Sequence, residues 1–164
     1  MDTLEMKAWK EMSPVLERSL LPAVRFPEEP AAGEANSKLN VAVIFTTVES
    51  TLSALRKAAE LAHPLNACLT LIVPQIVPYP LPLTSPPVLL DFSERRFRVL
   101  ADHCPVETTV RIYLCRDREV MLKDTLKPHS LVVIGGTKRW WPTPERRLAR
   151  KLRRAGHEVI LSET

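Results

Sequence analysis

Glycine is scarce in this chain: four glycines stand against fifteen prolines in 164 residues. Folds that cradle phosphates in backbone loops need glycine where the ligand approaches the chain closely, so the scarcity argues against a phosphate loop. Cysteine is thin as well. Cys68, Cys104 and Cys115 form no C-x-x-C pair and have no histidine at ligand spacing, which excludes a zinc ribbon and reads as reduced, mostly buried thiols in a cytoplasmic protein. His63, His103, His129 and His157 are scattered and G-x-S-x-G is absent, so metal and nucleophilic chemistry find no support and a non-enzymatic chain is expected. The first residues, MDTLEMKAWKEM, mix acids with bases and lack the apolar centre of a secretory signal. Between Leu61 and Leu90 there is no Asp, Glu, Lys or Arg. Pro64, Pro74, Pro78, Pro80, Pro82, Pro86 and Pro87 punctuate that stretch, each costing about 3 kcal/mol inside a helix, so no membrane span is expected there.

What is present is a globular composition: 45% apolar residues, 26% charged residues and a net charge of +4. The length suits one domain with a core of its own, preceded by a tail. Residues 1–38 read as a helical arm and linker. Leu4, Ala8 and Met12, then Leu16 and Leu20, recur at spacings of four, Ser13 and Pro14 suit a helix start, and FPEEPAAGEANS is polar and proline-flanked.

From residue 39 to 164 the pattern alternates strand with helix. LNVAVIFT (39–46), NACLTLIV (66–73), VETTVRIYLC (106–115), SLVVIGG (130–136) and HEVILSE (157–163) are apolar, β-branched runs of the kind buried on both faces of a sheet. Between them, Leu52, Leu55 and Ala59, then Phe92, Phe97 and Leu100, lie at helical spacing. That helix is placed to begin near Ser50 or Thr51, and the next near Asp91 or Ser93. Asp117 suits the cap of REVMLKDTL, Thr143 with Pro144 suits the start of PERRLARKLRRAG, and Gly156 suits its end. PQIVPYPLPLTSPPVLL (74–90) reads as an extended surface loop whose apolar residues need a cover. The expectation is an α/β fold, a doubly wound five-stranded parallel sheet with helices on both faces, Rossmann-like or flavodoxin-like in its layering.

This order of elements, with NVAVIFTTVESTLSALRKAAELA at the front and HSLVVIGG and VILSE at the back, resembles the universal stress protein (UspA-like) family over about residues 39–162. In that family the first strand ends in Asp, and the position is Thr46 here. In the family's nucleotide-binding branch the fourth strand runs into Gly-x-x-Gly, then nine residues, then Gly and Ser or Thr. Gly135 matches the first glycine, but Lys138 stands at the second, and neither register through the last helix restores the rest. The resemblance therefore implies a degenerate member whose nucleotide motif is largely lost, and a cytoplasmic homodimer linked to stress response.

A doubly wound sheet binds ligands beyond the carboxyl ends of its strands, where the strand order reverses. The residues expected at that rim are Thr46, Thr47, Gly135, Gly136, Thr137 and Lys138, with hydroxyls and one cation able to meet a phosphate. A structural turn is the competing reading, and weak ATP or AMP binding stays open as an alternative function. For a partner surface the candidates are Tyr79 and Leu81 in the proline-rich loop, Trp140 and Trp141, whose rings suit an interface, and Arg146 and Arg150 on the last helix. That helix carries six cations. It offers a second alternative, contact with nucleic acid or an acidic partner, although composition does not imply nucleic acid.

Overall fold

The computed structural model describes residues 16–20, 39–138, 140 and 142–163. Five strands run parallel: β2 (Asn40–Ile44), β3 (Cys68–Ile76), β4 (Thr108–Cys115), β5 (Leu131–Gly136) and β6 (Glu158–Glu163). Four helices join them: α1 (Val48–Ala62), α2 (Leu90–Asp102), α3 (Arg118–Thr125) and α4 (Pro144–Arg154). The expected α/β fold is therefore present. Its central strands are the most apolar segments of the chain because neither face meets water: Val41, Val43, Ile44, Val132, Val133 and Ile134 are each 0% exposed.

The sheet gains a sixth strand that the sequence does not announce. Leu16–Leu20 forms β1, antiparallel to β4, with Leu16 opposite Leu114 and Leu20 opposite Val110. This corrects the helical reading of that segment. Leu16, Arg18 and Leu20 satisfy a period of two as well as Leu16 and Leu20 satisfy a spacing of four, and the open edge of β4 decides between them by pairing the backbone. The other helical piece expected at Leu4, Ala8 and Met12, and the linker 26–37, lie outside the described residues.

Strand order across the sheet is β1-β4-β3-β2-β5-β6. Helices α1 and α2 cover one face, packing Ala54, Leu55, Ala58, Phe97 and Leu100 onto Val41, Val43, Leu69, Leu71 and Ile112. Helices α3 and α4 cover the other, packing Met121, Leu122, Leu148, Ala149 and Leu152 onto Ala42, Ile44, Ile72, Val132 and Ile134. Each of the larger side chains, fully buried, contributes about 1.5–3 kcal/mol of transfer free energy, so the two cores hold the sheet between its helical layers.

Local chemistry sets the element ends, sometimes one turn from the expected residue. Asp117 accepts from the amides of Glu119 and Val120, and Thr143 accepts from that of Arg146, both as anticipated. Helix α1 starts earlier than expected, because Thr47 supplies the cap. Helix α2 starts at Leu90 with no side-chain cap, Asp91 lying in its first turn. Strand β3 continues through Pro74 to Ile76, beyond the expected loop boundary. Pro74 is tolerated there because β2 pairs with β3 only as far as Ile72, so past that point β3 has a strand neighbour on one side alone.

Candidate functional site

The strand order reverses between β2 and β5: the chain leaves β2 toward β3 on one side and returns with β5 on the other. The carboxyl ends of these two strands bring Thr46, Thr47, Gly135, Gly136, Thr137 and Lys138 to one rim, which is where an open parallel sheet carries its crevice. Thr46 joins the two sides directly, its hydroxyl donating to the Gly135 carbonyl at 3.0 Å.

The hydroxyls of Thr47 and Thr51 are engaged in turning the chain into α1. The Thr46 amide donates to the Thr51 hydroxyl at 3.2 Å, and the Thr47 hydroxyl accepts from the Ser50 amide at 3.3 Å. Gly135 serves the same junction. A Cβ on it would lie 1.9 Å from the Ser50 carbonyl oxygen, so glycine is required here for the helix to seat on the strand. A Ser53–Ser162 hydroxyl pair at 2.8 Å fastens the next turn of α1 to β6. Gly136 faces the other layer, where an added Cβ would meet Glu145 at an ordinary 3.5 Å.

Charge at the rim also belongs to the protein. Glu49 lies in the first turn of α1 and Glu145 in the first turn of α4, so both helix N-termini that open on the crevice carry a carboxylate. These anions complement the helix dipoles and repel a phosphate brought to the same place. Thr137 and Lys138 stand exposed beside them.

The proposed partner residues fall into two groups. Tyr79 is 74% exposed in the proline-rich loop, with the Arg116 guanidinium 4.1 Å above its ring. Arg116 also donates to the carbonyls of Val77 and Leu81, both at 2.6 Å, and so pins the loop to the end of β4. The sequence reading missed this residue. Its signal was positional: a lone arginine between the last residue of a buried strand and a helix cap, at the level where the loop must cross. Leu81 is partly covered, at 37% exposure. Continuing from the loop, Val88, Leu89, Phe92 and Val99 are also exposed.

Val99 also lines an apolar groove of about 240 Å³ between α1 and α2, formed with Val48, Leu52, Phe97 and Leu100 and with Arg96 and His103. Its inner wall is rigid, since Phe97 packs edge-to-face on Phe45 with centroids 4.8 Å apart. A separate groove of about 430 Å³ opens at the other end of the sheet, where Asn40, Thr70, Arg111, Lys127 and His129 line it.

The second group lies on and before α4. Trp140 is 91% exposed; Trp141 lies outside the described residues. Arg146 has a partner inside the protein. It donates to Glu163 Oε1 at 2.6 and 3.0 Å and so ties α4 to β6, leaving it committed within the fold. Lys151 is committed likewise to Glu119, at 2.6 and 2.7 Å, and Arg153 to the Val159 carbonyl, at 2.7 and 3.2 Å. Arg150 is exposed, as are Arg147 and Arg154.

Cys115 is fully buried, and burial first, then the nearby Asp117 carboxylate, push its thiol up to about 11 against a smaller opposing effect of Arg118. Cys68 and Cys104 are half-buried thiols. Among the described residues, no group of three His, Cys, Asp or Glu side chains could hold a metal ion, and no helix is long and apolar enough to cross a membrane. No family model and no curated protein matches this chain.

Proposed function

We propose that the chain is a non-enzymatic binding domain of the universal stress protein type, which acts by holding a protein partner, a second copy of itself included. The observation that carries this reading is the number of exposed large apolar residues on the proline-rich loop and α2, Tyr79, Leu81, Val88, Leu89, Phe92 and Val99, the last of which lines the apolar groove. Large apolar side chains left in water over such a run favour association. The rim supports the same reading from the other side. Two of its three threonine hydroxyls are engaged in the α1 junction, its first glycine is needed for helix packing, and two carboxylates oppose an incoming phosphate.

The alternative, an ATP- or AMP-binding switch, would rely on Thr137 and Lys138 alone among the rim side chains. Light scattering across a dilution series tests the association reading. A dimer is expected that dissociates on dilution and is weakened when Phe92→Glu and Val99→Glu are combined, both positions being more than half exposed. A monomer at every concentration, with no change on mixing the two proteins, would count against self-association.

A further inference from the structure

The six cations of α4 divide into two sets by direction. Leu148, Ala149 and Leu152 are buried and define the inward face of the helix. At about 100° per residue, Arg146 and Arg153 fall on one flank and Lys151 on the other. Those three are the residues bonded within the fold, to Glu163, the Val159 carbonyl and Glu119. Arg147, Arg150 and Arg154 fall on the crest opposite the buried face, all exposed, and among the described residues their guanidinium groups make no ion pair or hydrogen bond. Their spacing places three guanidinium groups in line over about 10 Å of helix.

A solvated helix face in a stable protein ordinarily interleaves both signs. Here the flanks take the intramolecular pairs and the crest carries one sign only. At the N-terminal end of α4 the chain enters through Lys138 and Trp140, the cation exposed and the indole 91% exposed. A large flat ring out in water, just ahead in sequence of a row of cations, is the pairing that single strands use: phosphates along the arginines, a base on the ring.

We infer that the crest of α4, Arg147, Arg150 and Arg154 with Trp140 at its head, binds single-stranded nucleic acid without reading its sequence. Arginine suits this role because its planar guanidinium meets phosphate oxygens in pairs. An acidic polypeptide would use the same cations but has no use for a base-stacking ring. A double helix would meet a row too short to follow a groove and an indole with no free base to stack on.

Fluorescence anisotropy of a labelled oligothymidylate, titrated with the full chain, tests this. Three phosphate contacts on a single strand predict that log K falls against log salt with a slope of about −2, a loss of about 20-fold between about 50 and about 200 mM salt. Combining Arg147→Gln, Arg150→Gln and Arg154→Gln is expected to lower affinity at least about tenfold and to flatten that slope. Trp140→Ala is expected to lower affinity at least about fivefold while leaving the slope unchanged, because it removes stacking and no charge. None of these side chains is in the core, and circular dichroism of each variant checks that the fold persists. Absence of binding at about 50 mM salt would overturn the inference, as would a triple variant that binds like the parent. Equal affinity for poly-glutamate, insensitive to Trp140→Ala, would assign the crest to acidic proteins and likewise overturn it.

Discussion

Gly135→Ala is the substitution whose consequence follows most directly from the packing. The added Cβ would sit 1.9 Å from the Ser50 carbonyl oxygen and 2.4 Å from its carbon, both backbone atoms. Opening 1.9 Å to even 3.0 Å requires a displacement of at least 1.1 Å, and no rotamer can supply it because the obstacle is the first turn of α1. Moving that turn also strains the Thr46–Gly135 and Ser53–Ser162 hydrogen bonds, which measure 3.0 and 2.8 Å. Overpacking of this kind costs about 1–3 kcal/mol, and a weakened hydrogen bond adds about 1 kcal/mol. A total of about 2–4 kcal/mol corresponds to a melting point lower by roughly 4–16 °C for a chain of this size. Gly136→Ala is the control, one residue away on the same strand, where the added Cβ meets Glu145 at 3.5 Å. It is expected to change stability by no more than about 1 kcal/mol. Thermal and urea unfolding followed by circular dichroism measure both. Equal stability of the two alanine variants would refute the claim that Gly135 is kept for the seating of α1.

Arg116→Ala should leave the global unfolding transition nearly unchanged, since the guanidinium is only part-buried, but should release the loop it pins through Val77, Leu81 and Tyr79. Limited proteolysis and hydrogen exchange are expected to show faster cleavage and exchange confined to residues 78–89; an unaltered pattern would contradict the pinning role. Cys115 should resist alkylation in the native protein while Cys68 and Cys104 react first, as mass spectrometry after a short exposure to iodoacetamide would show. Because the folded thiol titrates above its ordinary value of 9.0, at about 11, its contribution to stability is fully present below pH 9. Across that interval the unfolded state holds fewer protons, so stability should fall as pH rises from about 9 to about 11, and Cys115→Ala should remove that part of the alkaline slope.

The sheet was legible in the sequence wherever burial on both faces removed ambiguity. SLVVIGG could be nothing but a central strand, and the helices between strands followed from Leu and Ala spacing. Three features were not legible, each for a tertiary reason. LERSL satisfies two periodicities, and only the vacant edge of β4 selects the strand. Pro74 lies inside β3 because β2 has already stopped pairing, a fact about the neighbouring strand rather than about the proline itself. The start of α1 shifted to Thr47 because three candidate hydroxyls compete locally and the close approach at Gly135 fixes which one caps.

A general rule of doubly wound sheets points to the carboxyl ends of β2 and β5, yet the composition there does not reveal which way the hydroxyls turn. Thr46 could have faced a ligand; the Gly135 carbonyl claims it instead. The basic helix shows the same limit. Six cations read alike in sequence, while their division into bonded flanks and an open crest depends on where Glu119, Glu163 and the Val159 carbonyl come to lie.

The proposed function holds that the crevice at the carboxyl ends of β2 and β5 is taken up by the protein's own junction and is no nucleotide site. Its most direct test is the melting point of the full chain with ATP, AMP or FMN at about 5 mM. A site with a dissociation constant of about 50 μM would then add about 2.7 kcal/mol, a rise of roughly 5–10 °C. No change is expected with any of the three; a rise of that size that is lost in Lys138→Ala would contradict the proposed function.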